Sequence, residues 1–170
     1  VVNGMSQPGW HEVVAAGKSA HASTPWEGNS AVSGLLTLLS SLPMAVSSGF
    51  SALQGIAALF PHNDYYGEAA GIAMEDALSG KLTLCSNVIH FSLNGVSGKI
   101  DSRLPICATE KTTLAVLRAK MESAGIILDS DVRIYQAHHV REDRSMVRTL
   151  LYCYEQYTGK ERFCMAEGGG

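Results

Sequence analysis

The chain has 170 residues, 46% of them hydrophobic and 17% charged, with a net charge of −3. That supports the core of one domain, or of one domain with part of another. The mild acidity argues against a nucleic-acid binder, which needs a basic stripe, and no apolar run reaches the roughly 18 residues of a membrane span.

The N-terminus Val1-Val2-Asn3-Gly4 carries no signal-peptide pattern, and the chain stops in mid-motif on Gly168-Gly169-Gly170, so both ends read as cuts in a longer protein. Cys85, Cys107, Cys153 and Cys164 form no C-x-x-C pair and sit in apolar runs. They read as buried, reduced thiols of a cytoplasmic protein.

In chain order, His11 to Gly17 reads as a short strand. Pro25 and the cluster Glu27-Gly28-Asn29-Ser30 mark a turn and a helix N-cap, with Asn29 a cap rather than a ligand. From Ala31 the positions Val32, Leu35, Leu36, Leu39 and Leu42 recur at helical spacing until Pro43. Phe50, Leu53, Ile56, Ala57 and Phe60 predict a second helix stopped by Pro61, followed by a loop and a short helical turn from Met74 to Leu78. Residues 44–80 thus form a long insertion, which compact domains rarely carry without a function.

Leu82 to Leu93 alternates as a strand, Asn94-Gly95 signals a hairpin, and the return strand puts Ser97, Lys99, Asp101 and Arg103 on a polar face. Thr109-Glu110 opens a helix with Leu114, Leu117 and Met121 in register, capped by Gly125. Ile126 to Ala137 reads as a returning strand. The order strand, helix, insertion, strand, strand, helix, strand is that of an α+β ferredoxin-like split β-α-β sandwich, an antiparallel sheet with helices on one face. From Val140 the pattern breaks: Asp143 and Ser145 are candidate caps for a helix through Tyr154, and Arg162 to Ala166 reads as a new strand. The predicted division is residues 1–139 as one domain and 140–170 as a fragment of another.

His21 ends a run of small residues, Ser19, Ala20, Ala22 and Ser23, which leave its imidazole open to another molecule. Such a ring titrates near neutral pH and both donates and accepts hydrogen bonds. The other histidines make poor metal ligands. His138 and His139 are adjacent and point apart on a strand, His90 lies on a polar strand face, and His11 and His62 read as surface residues. No close-spaced set of about four ligands for a closed zinc site is present.

Gly17-Lys18-Ser19-Ala20-His21-Ala22-Ser23-Thr24-Pro25, followed by Gly28-Asn29-Ser30-Ala31, resembles the G-x-x-A-H-[AS]-x-x-P…G-x-N-A signature of di-zinc amidohydrolases of the aminoacylase/carboxypeptidase kind. Gly80-Lys81-Leu82-Thr83-Leu84 is similar to their G-x-L-T-x strand, and Asp101-Ser102-Arg103-Leu104-Pro105 to their D-x-R-x-P strand. Tyr154-Glu155-Gln156-Tyr157-Thr158-Gly159, then Glu167-Gly168-Gly169-Gly170, resembles the Y-E-x-x-T-G…GGGT stretch of the monomeric dipeptidase V (Xaa-His/beta-Ala dipeptidase-like) branch.

The resemblance implies a lid domain that closes over a dipeptide or N-acyl amino acid bound to a zinc catalytic domain. The 44–80 insertion would be the enlarged lid of that branch, standing where a second subunit would be, and the intact enzyme would be a monomer. By resemblance His21 stabilises the tetrahedral oxyanion as catalytic residue, Arg103 binds the substrate carboxylate, and Gly168, Gly169 and Gly170 approach the substrate. The two zinc ions, with the general base, would belong to the parent catalytic domain outside this chain. The fragment alone would be inactive, and its partner-facing apolar surface would favour self-association. The competing reading keeps the fold without catalysis, as a ligand-binding or dimerisation module, because this architecture hosts many functions.

Overall fold

In the computed structural model, which describes residues 2–3 and 12–165, the first helix follows from its cap. The Ser30 hydroxyl accepts from the Ser33 backbone N–H at 3.3 Å, and α1 (Ala31–Ser40) begins there. Ser30, not Asn29, is therefore the capping residue. Ser47 repeats the device for α2 (Ser48–Leu59), accepting from the Phe50 N–H at 3.1 Å, and Phe60 ends that helix just before Pro61. The two helices pack on one another and bury Leu36, Leu53, Ile56 and Leu59.

The fold is α+β. Among the described residues its strands form antiparallel ribbons of two: β1 (Val2–Asn3) with β2 (Glu12–Val13), β3 (Glu75–Asp76) with β4 (Gly80–Lys81), and β5 (Thr83–Ser92) with β6 (Gly95–Arg103). The last of these is the long hairpin expected from the sequence. Its turn sits one residue earlier than expected: Ser92 pairs with Gly95, which leaves Leu93 and Asn94 as the two loop residues. Gly95, at φ +139°, takes the conformation that Asn94-Gly95 was expected to share. At the other end of the hairpin, Leu82, Thr83 and Leu84 are buried against the helices.

The segment from Met74 to Leu78 is not a helical turn but half of the β3–β4 hairpin. Asp76 gathers it, accepting from the N–H groups of Leu78 (2.9 Å) and Ser79 (2.7 Å) and from the Ser79 hydroxyl (2.9 Å). The Cys107 N–H reaches the same carboxylate at 3.1 Å, and the Ile106 N–H donates to the Ser79 hydroxyl at 2.8 Å. This small hairpin is thereby tied to the chain that leaves β6. The donors hold the Asp76 carboxyl far below the usual carboxylate range, the Ser79 N–H contributing most, while desolvation opposes them.

Helix α3 (Leu114–Ser123) closes the core with Leu114, Leu117 and Met121. It starts later than Thr109-Glu110 suggested, since 109–113 forms a turn in which the Thr113 hydroxyl donates to Thr109 O at 2.6 Å. Gly125 at φ +72° ends it as the sequence requires. The Ile126 N–H bonds Met121 O (2.8 Å) and the Gly125 N–H bonds Glu122 O (3.0 Å), the two-bond helix stop that only a left-handed residue allows.

Ile126 to Ala137 does not form the expected strand. Arg118 donates to the carbonyls of Leu128 (2.9 Å) and Asp129 (3.5 Å), and Asp129 turns the chain by accepting from the Asp131 N–H. Backbone groups that a ladder would use are thus bonded elsewhere, although Leu128 still enters the core.

Helix α4 (Ser145–Thr158) stops at Gly159, φ +67°, and its N-cap position is Arg144 rather than Asp143 or Ser145. None of its residues is buried. Residues 162–165 form no strand, and Ala166 lies outside the described residues. Cys107 and Cys164 are exposed and Cys85 and Cys153 half-buried, which corrects the expectation of four buried thiols.

Candidate functional site

Two arms of backbone frame the His21 loop. Lys18 and Asn29 pair as an antiparallel bridge, with N–H···O distances of 2.9 and 2.8 Å. The arms approach so closely that a Cβ on Gly17 would lie 2.4 Å from Asn29 O, and one on Gly28 would lie 2.7 Å from Lys18 O. Both positions therefore require glycine. Between the arms the chain turns on the bond from the Thr24 N–H to His21 O (3.0 Å), then enters a single 3₁₀ turn, Pro25–Glu27. The Thr24 hydroxyl donates to Glu27 at 3.2 Å. The loop is pinned to the hairpin by the Thr83 hydroxyl, which donates to Ala22 O at 2.7 Å.

The exposed imidazole of His21 lines a cavity of about 670 Å³, and Arg103 lines the same cavity from β6. Two residues singled out from distant parts of the sequence thus face one space. Cross-strand pairing explains the placement of the arginine. Arg103 lies opposite Thr83 and Asp101 opposite Cys85, so all four share the face of the ribbon turned to the His21 loop. Between Ser86 and Val88 the register shifts, leaving Asn87 as an extra residue on β5 that also lines the cavity. Bulges of this kind re-aim a side chain at a strand's end.

Arg103 Nη2 donates to Asp101 Oδ2 at 3.3 Å, an ion pair with side chains about a third exposed (28% and 35%) and of modest worth by itself. The Arg103 Nε–H is buried and has no hydrogen-bond partner among the described residues. A guanidinium offers five donors in a planar fork, so most of its capacity is open. The side chains of Asn29 and Asn87 likewise make no hydrogen bond among the described residues.

The 44–80 insertion supplies the remaining wall, with Phe60, Pro61, Asn63, Asp64 and Tyr65. Asp64 accepts from the N–H groups of Tyr66, Glu68 and Ala69, which fixes the turn that carries this wall. The Tyr65 hydroxyl donates to Asn63 Oδ1 at 2.9 Å, and Asn63 sits at φ +70°, a conformation asparagine tolerates. Behind it Trp26 and Tyr66 stack at 6.1 Å, and Lys81 Nζ lies 4.8 Å above the Tyr66 ring.

Of the other residues considered, Gly168, Gly169 and Gly170 lie outside the described residues, as does His11. His90, His138 and His139 are exposed. His62 is not a free surface residue: its Nδ1 lies 3.0 Å from the hydroxyl of buried Ser33. Among the described residues no three His, Cys, Asp or Glu side chains come together in a way that could hold a metal ion, so this set does not fit a zinc site. Burial and the Asp101 charge push the Cys85 thiol on the cavity wall upward. Sequence reasoning missed Thr83, Asn87 and the insertion wall. The Gly-x-Leu-Thr motif was a signal for the first; nothing in the sequence announced the bulge.

No family model matches the chain. It is 33% identical over 109 residues to "Putative dipeptidase YtjP" of Bacillus subtilis (strain 168), a match covering 63% of this chain and 22% of that protein. It is 28% identical over 160 residues to "Beta-Ala-Xaa dipeptidase" of Lactobacillus delbrueckii subsp. lactis, covering 94% of this chain and 33% of that protein. The chain is thus related in sequence to proteins named dipeptidases, which are hydrolases, and it spans between about a fifth and a third of their length. No helix among the described residues is long and apolar enough to cross a membrane.

Proposed function

We propose that this chain is the substrate-covering part of a dipeptidase, with residues 1–139 as the lid and residues 140–170 leading back into a catalytic domain of the same polypeptide. The observation that carries this reading is the shared cavity of His21 and Arg103. A dipeptide carries a scissile carbonyl and a free carboxylate a few ångströms apart, so it needs two different recognising groups at short range. An imidazole donor suits the first and a guanidinium fork suits the second.

As water adds to the carbonyl, charge grows on its oxygen. A donor already held in place there stabilises the transition state more than the ground state. In this reading His21 is that donor. Arg103, with its unpartnered Nε–H, takes the carboxylate, and Asp101 keeps the guanidinium oriented through the 3.3 Å ion pair. The insertion wall of Phe60 and Tyr65 limits the size of the substrate and excludes water. The zinc ions implied by the resemblance would be held by polypeptide outside this chain. The enzyme would act in the cytoplasm as a monomer.

The test is a kinetic split in the full-length polypeptide that carries this chain. His21→Ala should lower kcat on every substrate. Arg103→Ala should raise KM for dipeptides with a free C-terminal carboxylate and leave their C-terminal amides nearly unchanged. Equal losses on acid and amide would remove Arg103 from the carboxylate site, and a kcat loss under about tenfold would remove His21 from the oxyanion.

A further inference from the structure

The two ring nitrogens of His21 stand in different surroundings. Nδ1 accepts from the Ser23 backbone N–H at 3.3 Å, and the Ser23 hydroxyl lies 2.8 Å from it. Nε2 has no partner among the described residues. A backbone N–H only donates, so Nδ1 must present its lone pair, and the single proton of a neutral ring then sits on Nε2.

That N–H is itself aimed. It belongs to the peptide unit between Ala22 and Ser23, whose carbonyl oxygen is the one gripped by the Thr83 hydroxyl at 2.7 Å. A trans peptide is planar, with C=O and N–H pointing in opposite directions. Holding the oxygen against β5 therefore turns the N–H toward the imidazole. The preceding carbonyl, that of His21, is fixed in turn by the Thr24 N–H at 3.0 Å.

We propose that Thr83, acting through the backbone N–H of Ser23, is a positioning residue that sets the tautomer of His21, so that the neutral imidazole offers Nε2–H to the cavity as a hydrogen-bond donor. Thr83 also faces Arg103 across the ribbon, so the same residue links the position of the donor to that of the guanidinium. This extends the reading of His21 as a donor to the substrate and rests on it only for its catalytic consequence.

The tautomer is measurable without any substrate. The chain is labelled with ¹⁵N-histidine and held at about pH 8.5, two units above the ordinary imidazole pKa near 6.5. Long-range ¹H–¹⁵N correlation then separates the protonated ring nitrogen from the bare one. The His21 signals are assigned by their loss in His21→Gln. We expect Nδ1 bare and Nε2 protonated, with Thr83→Val shifting the ring toward a mixture, Thr83→Ser keeping the wild-type ratio, and Ser23→Ala leaving Nδ1 bare because the backbone N–H remains. The wild-type spectrum decides the tautomer by itself if Thr83→Val fails to fold. A wild-type ring protonated on Nδ1, or a folded Thr83→Val with the wild-type ratio, overturns the proposal. In the full-length polypeptide Thr83→Val should lower kcat about 2- to 10-fold at constant KM, the worth of one hydrogen bond. If the tautomer shifts while kcat holds, the assignment of the tautomer stands and the substrate-donor reading of His21 fails.

Discussion

The His21 loop and helix α4 are both exposed, and for opposite reasons. The loop is polar and fastened at several points: the bridge between Lys18 and Asn29, the turn at Thr24, and the Thr83 hydroxyl on Ala22 O. Helix α4 carries an apolar stripe of which no residue is buried among the described residues. Leu150 is 58% exposed and Tyr157 89% exposed, and the side-chain bonds of the helix are local, such as the Thr149 hydroxyl on Ser145 O. A fastened polar loop holds its exposed side chains in place. An unburied apolar stripe at helical spacing is a surface that gains stability only from a further layer of protein. The proposed boundary near residue 140 falls between the two.

The sharpest way to break this contrast is at the centre of the loop. His21→Ala should cost about 10²–10³ in kcat, the usual worth of one oxyanion donor, with thermal stability nearly unchanged because the ring is exposed. Steady-state kinetics beside a melting curve checks both halves. Arg103→Ala should follow at about 10- to 100-fold in kcat/KM on free dipeptides, the range of hydrogen bonds to a charged group, and the comparison with amidated substrates isolates the effect.

Gly17→Ala tests the fastening itself. A Cβ placed 2.4 Å from Asn29 O forces the two arms apart, at about 1–3 kcal/mol of stability. Chemical denaturation should register this loss together with reduced activity. Asp76→Asn, remote from the cavity, should lower Tm without changing KM. The Asp76 carboxyl is depressed in the folded state below its ordinary value of 3.8. Its contribution is therefore complete above that value and is lost as pH falls below it. Thermal melts from pH 7 to pH 3 should show the wild type losing its advantage over the variant in the acid range.

The smallest effect belongs to α4. Leu150→Ser in this chain should move stability by no more than about 0.5 kcal/mol, as at other exposed positions. In the full-length polypeptide the same change should cost clearly more. Equal effects in the two contexts would mean that nothing covers the stripe.

Helices α1 and α2 and the long hairpin were readable because one period, 3.6 or 2, runs through each and ends on Pro43, Pro61 or Gly95. Met74 to Leu78 misled because it is too short for periodicity to show. Its shape comes from the donors collected by Asp76, one of them from Cys107 far along the chain. Ile126 to Ala137 misled because its apolar alternation is real, and Leu128 and Ile134 do pack on or into the core. The Arg118 guanidinium takes carbonyls that a strand would need, and that competition is invisible in a one-dimensional pattern.

By itself, the sequence determined the α+β class and the helix stops, and it singled out His21 and Arg103 as candidates for chemistry. Each of these is a property of residue type and near-neighbour spacing. Only the tertiary structure decided that the two side chains meet in one cavity, that the 44–80 insertion walls it, and that the Ala22–Ser23 peptide is turned to bond His21 Nδ1. Those depend on which strand residues lie opposite each other, on a one-residue bulge at Asn87, and on a single hydroxyl reaching between segments. Such long-range pairings are set by the packing of the whole core, and no local pattern encodes them.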